Sequence, residues 1–346
     1  MDRRQFIASG LALPLAHATS AFAADPIYIG DMHAHFFFDL QHKMKSPPLG
    51  PAMAAGNATL VAWSLVGDLL WMGLGPRGFV QKSVPKAGDT LGWFERELTR
   101  IKKHAASQNL KIVRKARDVD RAAKGEPHIV LAVEGASFIE NDVRRVQAAY
   151  DLGIRHMQLV HYIKNSVGDF QTEKPELGGL TEIGKKVVQE CNRLGILVDL
   201  AHSTSDAVSQ ALQISKAPMV WSHSSITRQR TPDWTMVGWR ARQLTLEGAK
   251  AIASKGGVVG LWALRQDVGE TIEGYADRLL EMADWLGDDH VAFGSDMNGL
   301  GRHAVIHEYA DFRRVMAHWE KRQVPDARVR KLAIENYARV LRQVLG

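Results

Sequence analysis

The sequence has few of the features that stabilise small secreted proteins or anchor proteins in membranes. Its one cysteine, Cys191, excludes a disulfide bond within the chain and leaves the amino-terminal region without a lipid-anchor cysteine. The apolar stretch near the amino terminus is interrupted by Pro14 and His17 and is shorter than the ~20 apolar residues that span a bilayer. The 44 basic residues exceed the 38 acidic ones, but they are dispersed and match no nucleic-acid-binding motif. We therefore expect neither a nucleic-acid partner nor stable membrane insertion.

The composition is that of an ordinary globular protein, with 45% hydrophobic and 24% charged residues among 346. Apolar, β-branched runs alternate with amphipathic helical patterns. The predicted strands span residues 27–32, 59–65, 129–133, 156–160, 197–201, 219–222, 258–262 and 290–294. Eight such strands separated by helices predict an α/β fold, a (β/α)8 TIM-type barrel. Since such barrels run to ~250 residues or more, we expect a single domain at residues 24–346.

The helical patterns fall between the predicted strands. The clearest helix begins near Thr181, a good N-cap, and stops at Gly195. The other predicted helices span residues 89–107, 139–150, 205–214, 245–255, 271–286, 307–320 and 326–345. Segment 43–57, which is rich in Pro, Gly and Ala, is predicted to be a loop over the barrel mouth.

Six residues that could ligate a metal or move a proton follow predicted strands. They are His33, His35, Glu134, His202, His223 and Asp296. Because parallel strands end at the same rim of a barrel, these side chains are expected to converge there. Each has an ordinary explanation when taken alone: a structural histidine, a helix-capping Glu134, or a turn at Asp296. The repetition of the pattern favours a site for one or two divalent metals.

Four segments raise the specificity of this interpretation. They are VEGA (133–136), GGLTEIGKKVVQECNRLGILVDLAHS (178–203), VWSHSS (220–225) and HVAFGSDMNG (290–299). Together they resemble the renal, or membrane, dipeptidase family of the amidohydrolase superfamily. The resemblance extends more weakly over most of the chain from residue 27 and implies a metal-dependent peptide hydrolase acting on small dipeptides.

The resemblance also implies a role for each site residue. His33 and His35 would bind a first metal and His202 and His223 a second, with Glu134 bridging the two ions, which the family suggests are zinc. Asp296 would act as general base and then acid for a hydroxide shared by the metals. His161 would stabilise the oxyanion formed on the substrate; a surface or core histidine is the alternative.

The sequence departs from the family's pattern at two positions. His35 stands where the family usually has an aspartate, although imidazole is also a good zinc ligand. Asn298 stands where the family often has a second aspartate after the catalytic one. Asp31 and Asp199 precede ligands and are expected either to orient them or to serve hydrogen bonding inside the barrel.

The substrate is expected to be held through its free carboxylate. The family uses an arginine after the sixth strand, and Arg228 and Arg230 are the candidates because a guanidinium forms paired hydrogen bonds with a carboxylate. A solvated basic loop is the alternative.

Other functions that stay open are a different binuclear amidohydrolase, a lactonase, and a metal- or peptide-binding protein without turnover. The sequence leaves a homodimer open as well.

Residues 1–23 have the features of an export signal. Arg3 and Arg4 precede Phe6 and Ile7, an arrangement that resembles the twin-arginine signal of bacteria, and residues 21–23 form a small-x-small cleavage site. An ordinary secretory signal is the alternative. Export of a folded protein would suit an enzyme that binds its metals before it leaves the cytoplasm. The expected location is the periplasm.

Changing both Arg3 and Arg4 to lysine tests the export route. We expect uncleaved protein to accumulate in the cytoplasm, because the twin-arginine route requires the arginine pair. Immunoblotting of cytoplasmic and periplasmic fractions measures the outcome. Unchanged cleavage and export would indicate the general secretory route instead.

Overall fold

The computed structural model describes residues 26–36, 48–229 and 231–346. Within these residues eight parallel strands close a barrel. They are β1 (Ile29–Ala34), β2 (Ala58–Val66), β3 (His128–Glu134), β4 (His156–Gln158), β5 (Leu197–Asp199), β6 (Val220–Trp221), β7 (Val258–Leu261) and β8 (Val291–Phe293). Neighbours along the chain pair in parallel, and β1 pairs with β8 to complete the circle. The predicted TIM-type barrel is confirmed.

Helices surround the barrel in the described parts of the chain. The α-helices are Leu49–Ala55, Asp89–Ser107, Ala116–Ala123, Arg144–Leu152, Glu182–Leu194, Ser205–Ile214, Gly238–Ala241, Leu246–Ser254, Arg265–Val268, Ile272–Leu286, Phe312–Lys321, Asp326–Arg330 and Asn336–Leu345. Short 3-10 turns cover Ser137–Ile139, Gly301–His303 and Tyr309–Asp311, and a π-helical turn covers Lys331–Glu335. A short strand at Lys111–Ile112 extends the sheet beside β3.

The helix that was clearest in the sequence has the expected ends. The hydroxyl of Thr181 accepts a hydrogen bond from the Gly184 amide at 3.0 Å, which satisfies one of the free amides of the first turn. Gly195 ends the helix with φ of 78°, a left-handed conformation that glycine adopts without a steric penalty. Cys191 lies on the buried face of this helix.

The structure differs from the sequence predictions at several elements. Segment 43–57 is not a loop over the barrel mouth in its described part, because Leu49–Ala55 is a helix that ends just before the start of β2 and therefore lies at the opposite end of the barrel. The predicted helix 139–150 begins only at Arg144, after a 3-10 turn. An antiparallel hairpin, Met72–Gly75 with Gly78–Gln81, was not predicted.

The apolar core is divided between the inside of the barrel and the layer between barrel and helices. Alternate side chains of the strands fill the barrel interior, where Met32, Leu60 and Val130 pack with Tyr337 and Leu341 of the carboxyl-terminal helix. The other side chains face the surrounding helices. The interior is therefore filled by packing at the amino-terminal end, which leaves the carboxyl ends of the strands for polar groups.

No helix within the described ranges combines the length and the apolar character needed to cross a bilayer.

The barrel wall is very tightly packed next to the end of β6. A Cβ atom at Gly260 in β7 would lie 1.9 Å from the carbonyl oxygen of Ser222, and one at Gly294 would lie 1.7 Å from the same oxygen. Because these contacts involve backbone, a side chain at either position forces neighbouring strands apart. Glycine at these two positions therefore allows the strands to approach closely just below the rim.

Replacing Gly260 by alanine should lower the free energy of unfolding by at least ~2–3 kcal/mol, because the added methyl group overlaps a backbone oxygen. Gly92→Ala is the matched control: its Cβ meets only the end of the Arg96 side chain, and alanine is the better helix former by ~0.5–1 kcal/mol. Denaturant titration followed by circular dichroism measures both. Equal stability of the two variants would contradict the predicted overlap.

Candidate metal centre

The carboxyl ends of four barrel strands bring together the ligand candidates. His33 lies in β1 and His35 follows it; Glu134 is the last residue of β3; His202 and His223 come shortly after β5 and β6. All five are buried. The barrel interior below them is apolar, so these side chains form a polar layer at the rim. The structure brings these five candidates together.

The Glu134 carboxylate is the centre of this layer. Its Oε1 lies 3.3 Å from the Nε2 atoms of His33 and His202 and 3.5 Å from that of His223. Its Oε2 lies 3.5 Å from Nε2 of His35. Each of the four imidazoles therefore directs the same nitrogen at one carboxylate.

The cluster divides into two sets of donors that share Glu134. The ligand atoms of His33, His35 and Glu134 lie within 4.8 Å of one another, and so do those of Glu134, His202 and His223. His33, Asp199 and His223 also meet this distance limit. Imidazole nitrogens with a shared carboxylate form a donor set suited to zinc-like ions. The residues thus fit two metal positions bridged by Glu134.

The protonation states suit metal binding. Burial, together with the positive charge of Arg242 beside them, lowers the pKa of His202 and of His223 well below the usual value. Both imidazoles are therefore neutral with a free lone pair. Burial alone would raise the pKa of Glu134, but the charges of His161 and His33 hold it well below its usual range, so the carboxylate is ionised.

Two contacts to Ser64 orient the first pair of imidazoles. Nδ1 of His35 lies 2.9 Å from the Ser64 carbonyl oxygen, and Nδ1 of His33 lies 3.2 Å from the Ser64 hydroxyl. A histidine that donates through Nδ1 presents the lone pair of Nε2 to a metal. His35 can thus serve as a ligand at the position where the family usually has aspartate.

Asp296 lies at the edge of the cluster, beyond the end of β8. Its Oδ1 is 3.3 Å from Nε2 of His35, and the side chain is 11% exposed. Burial disfavours the charged form of His35, but a hydrogen bond to Asp296 and the charge of Glu134 raise its pKa to about 9 in the metal-free cluster. Asn298 supports this segment by donating a hydrogen bond to the His35 carbonyl at 2.7 Å. Asp296 therefore combines proximity to the cluster with access to solvent.

His161 also reaches the cluster, and a carboxylate that the sequence analysis missed orients it. Nε2 of His161 is 3.3 Å from Glu134, while Nδ1 is 2.6 Å from the buried Asp68. Asp68 also accepts hydrogen bonds from the backbone amides of Tyr162 and Ile163 at 2.9 and 3.1 Å. Asp68 follows β2 just as the ligand candidates follow their strands, so the same rule could have identified it.

The second missed residue is Arg242, which reaches the cluster from a loop. Its guanidinium is buried and lies 3.0 Å from Nε2 of His223 and 2.7 Å from Oε1 of Gln171. Burial lowers the pKa of Arg242, and the nearby Tyr162, Glu134 and Asp296 partly oppose this shift. No local pattern marks Arg242, because a loop of about 20 residues separates it from His223.

Of the two arginines that the sequence favoured as carboxylate ligands, only Arg228 is among the described residues. The exposed side chain of Arg228 donates to Glu281, with Nε at 3.0 Å from Oε1, and has no described contact with the cluster. Arg230 lies outside the described residues. The guanidinium that the structure places beside the cluster is therefore that of Arg242.

Two buried aspartates fix the backbone beneath the ligands. Asp31 accepts a hydrogen bond from the Ser295 amide at 2.9 Å, joining β1 to the segment after β8. Asp199 accepts hydrogen bonds from the amides of Ala201 and Ser222, both at 3.0 Å. Both aspartates orient segments that carry ligand candidates, and both also take part in hydrogen bonding within the barrel. The two roles that the sequence left open for Asp31 and Asp199 are therefore fulfilled by the same contacts.

A parallel barrel with a buried histidine–carboxylate cluster at the carboxyl ends of its strands defines the amidohydrolase type of barrel. The family model described as membrane dipeptidase, peptidase family M19, matches residues 79–345. The chain therefore belongs to the membrane dipeptidase family.

Individual relatives are consistent with this assignment. The chain is 28% identical to dipeptidase tcpJ of Claviceps purpurea over 246 residues, which cover 69% of this chain and 56% of that protein. It is 30% identical to dipeptidase verJ of Clonostachys rogersoniana over 220 residues, or 62% of this chain and 55% of that protein. The matches thus span little more than half the length of either relative.

A solved structure shares the fold over nearly the whole chain. It is a metallopeptidase from Rhodobacter sphaeroides, crystallised with a phosphinate mimic of the dipeptide L-Ala-D-Ala. The two structures superpose with a TM-score of 0.76 at 23% identity, covering 92% of this chain and all of the other. This similarity supports the barrel fold.

Metal analysis of the purified protein tests the donor set. We expect about two zinc-like ions per chain, and His202→Ala and His223→Ala should each deplete the second position because each removes an imidazole ligand. His307→Ala, which changes an exposed histidine, should retain the full content. Elemental analysis gives the stoichiometry, and cooperative melting shows that each variant is folded. Full metal content in both ligand variants would refute the proposed centre.

Proposed function

We propose that this protein is a zinc-dependent dipeptidase that hydrolyses the amide bond of small dipeptides. The observation that supports this most directly is a buried guanidinium, that of Arg242, beside a cluster suited to metals. Within the described residues Arg242 forms no ion pair with a carboxylate. A buried cation without a carboxylate partner favours an anionic ligand, and a guanidinium forms paired hydrogen bonds with a carboxylate.

The position of Arg242 limits the length of the substrate. Its guanidinium lies 3.0 Å from an imidazole of the cluster, so a carboxylate bound to it is close to the reacting centre. In a peptide only the carboxyl-terminal residue separates the free carboxylate from the last amide carbonyl. The geometry therefore suits cleavage of the last peptide bond, and the family assignment favours a dipeptide.

The protein's own residues supply binding and proton transfer. Bound metal ions would polarise the scissile carbonyl and lower the pKa of the attacking water. Asp296 accepts the proton of that water as its oxygen adds to the carbonyl carbon, and returns it to the amine nitrogen as the carbon–nitrogen bond breaks. His161, held by Asp68, donates a hydrogen bond to the carbonyl oxygen as negative charge develops there.

Other functions fit the structure less well. Hydrolases that bridge two metals with a modified lysine need a buried lysine at the cluster, but Lys164 is 56% exposed and pairs with Glu176. A protein that only bound metal or peptide would not need a carboxylate placed like Asp296. Amidohydrolases and lactonases with other anionic substrates are the nearest alternatives.

We further propose that the protein is exported to the periplasm by the twin-arginine route. The residues that support this, Arg3, Arg4 and the cleavage site at 21–23, lie outside the described residues. The proposal therefore depends on the sequence motif alone.

Steady-state kinetics on a dipeptide panel test the proposed roles separately. Asp296→Asn should lower kcat by ~10²–10⁴-fold with metal content retained, since an amide cannot shuttle the proton. Arg242→Met should lower kcat/KM by about 10²–10³-fold and abolish the preference for a free carboxylate over a carboxyl-terminal amide. Arg228→Met is the matched control and should change neither. Absence of hydrolysis by the metal-loaded wild-type protein across the panel would refute the dipeptidase proposal.

A further inference from the structure

Ser222 lies directly behind the candidate metal centre, between the end of β6 and His223. It is completely buried. Its hydroxyl oxygen is 2.9 Å from Nδ1 of His223 and 3.3 Å from Nδ1 of His33. Of the two donor sets that share Glu134, one contains His33 and the other His223, and the rings of these two histidines pack against each other with centroids 3.8 Å apart. A single hydroxyl is therefore shared by one ligand from each of the two metal positions.

The direction of these hydrogen bonds follows from the way the imidazoles face. Both histidines direct Nε2 at Glu134, so a neutral ring that binds metal through Nε2 carries its proton on Nδ1. Each Nδ1–H can then donate to the Ser222 oxygen, which has two lone pairs.

Asp199 fixes Ser222 through its backbone rather than through its hydroxyl. Burial raises the pKa of the Asp199 carboxyl, but the hydrogen bond and the charge of His156 hold it below its usual value. The Asp199 carboxylate is itself fixed by the backbone amides of Ala201 and Ser222. A rigid buried carboxylate thus fixes the backbone of the residue whose hydroxyl contacts both imidazoles.

No other outer contact has this double role in the described part of the cluster. The Ser64 hydroxyl reaches only His33, and the Ser64 carbonyl reaches only His35, so Ser64 serves the first donor set alone. Nδ1 of His202 has no hydrogen-bond partner among the described residues. The second donor set therefore depends on Ser222 for its outer support.

We propose that Ser222 is a positioning residue that couples the two metal positions, holding His33 and His223 with one hydroxyl while Asp199 fixes its backbone amide. This deepens the proposed metal-dependent function and rests on it. Loss of the hydroxyl leaves the buried Nδ1–H of His223 without an acceptor, whereas His33 keeps the hydroxyl of Ser64. Both metal positions should weaken, the second more than the first.

Metal titration of the metal-free protein tests this without reference to turnover. Zn²⁺ affinities measured by competition with a chromophoric chelator should fall ~10–100-fold at both positions in Ser222→Ala, the usual effect of removing an outer hydrogen-bond partner. Ser64→Ala is the matched control and should weaken only the first position. Ser203→Ala removes a buried hydroxyl that has no partner among the described residues and should weaken neither.

Co²⁺ loading gives a second readout that a purely structural role would not change. Visible absorption bands of both Co²⁺ positions should shift in Ser222→Ala, because both imidazoles lose their fixed orientation, and only one set should shift in Ser64→Ala. Ser222→Cys, which keeps the volume but is a weak hydrogen-bond partner, replaces the alanine variant if the latter does not melt cooperatively.

The possible outcomes distinguish the coupling role of Ser222 from the metal-dependent function on which that role rests. Wild-type protein that binds no pair of metals would overturn the metal centre and with it the role of Ser222. Two metals in the wild type, with unchanged affinity in Ser222→Ala or loss at one position only, would overturn the coupling role and leave the metal-dependent function intact.

Discussion

The structure of the site depends on the burial of one charged carboxylate, that of Glu134. Five imidazole nitrogens lie within 3.5 Å of it, four from the ligand candidates and one from His161. Removing a carboxylate from water costs several kcal/mol, which only close, oriented partners can offset. The barrel satisfies this requirement because parallel strands end at one rim, and each contributes a polar residue there. A change that moves one strand end disturbs every pair around Glu134.

A second layer of buried carboxylates makes this rim rigid. Asp31, Asp68 and Asp199 accept hydrogen bonds from backbone amides after the strands, and each also contacts a side chain of the cluster or its support. Each of them therefore joins segments that are distant in sequence. Such a site is prearranged, so ligands bind to groups whose orientation is already fixed. This explains how short, irregular segments after the strands can hold catalytic groups accurately.

The sequence alone predicted the barrel and most of the cluster because both follow from local patterns. Strands show as apolar, β-branched runs, and helices show their caps at residues such as Thr181 and Gly195. His33, His35, Glu134, His202, His223 and Asp296 were visible because each comes at or just after a strand. The roles assigned to them came from the family resemblance and stay predictions. The hairpin at residues 72–81 was missed because its strands are short and none of their residues is fully buried, so they lack a buried apolar pattern.

Only the tertiary structure determined which residues far apart in the chain contact each other. Arg242 reaches His223 because a loop folds back over the rim, and loop paths depend on packing that leaves no periodic signal in sequence. The sharing of the Ser222 hydroxyl by His33 and His223 likewise joins β1 to β6 across 189 positions. Hydrophobic periodicity records which face of an element is buried, so the sequence determined the elements and the rim on which ligands stand. The distances and directions at that rim arise only when eight strands close, and the tertiary structure therefore decided which polar groups meet.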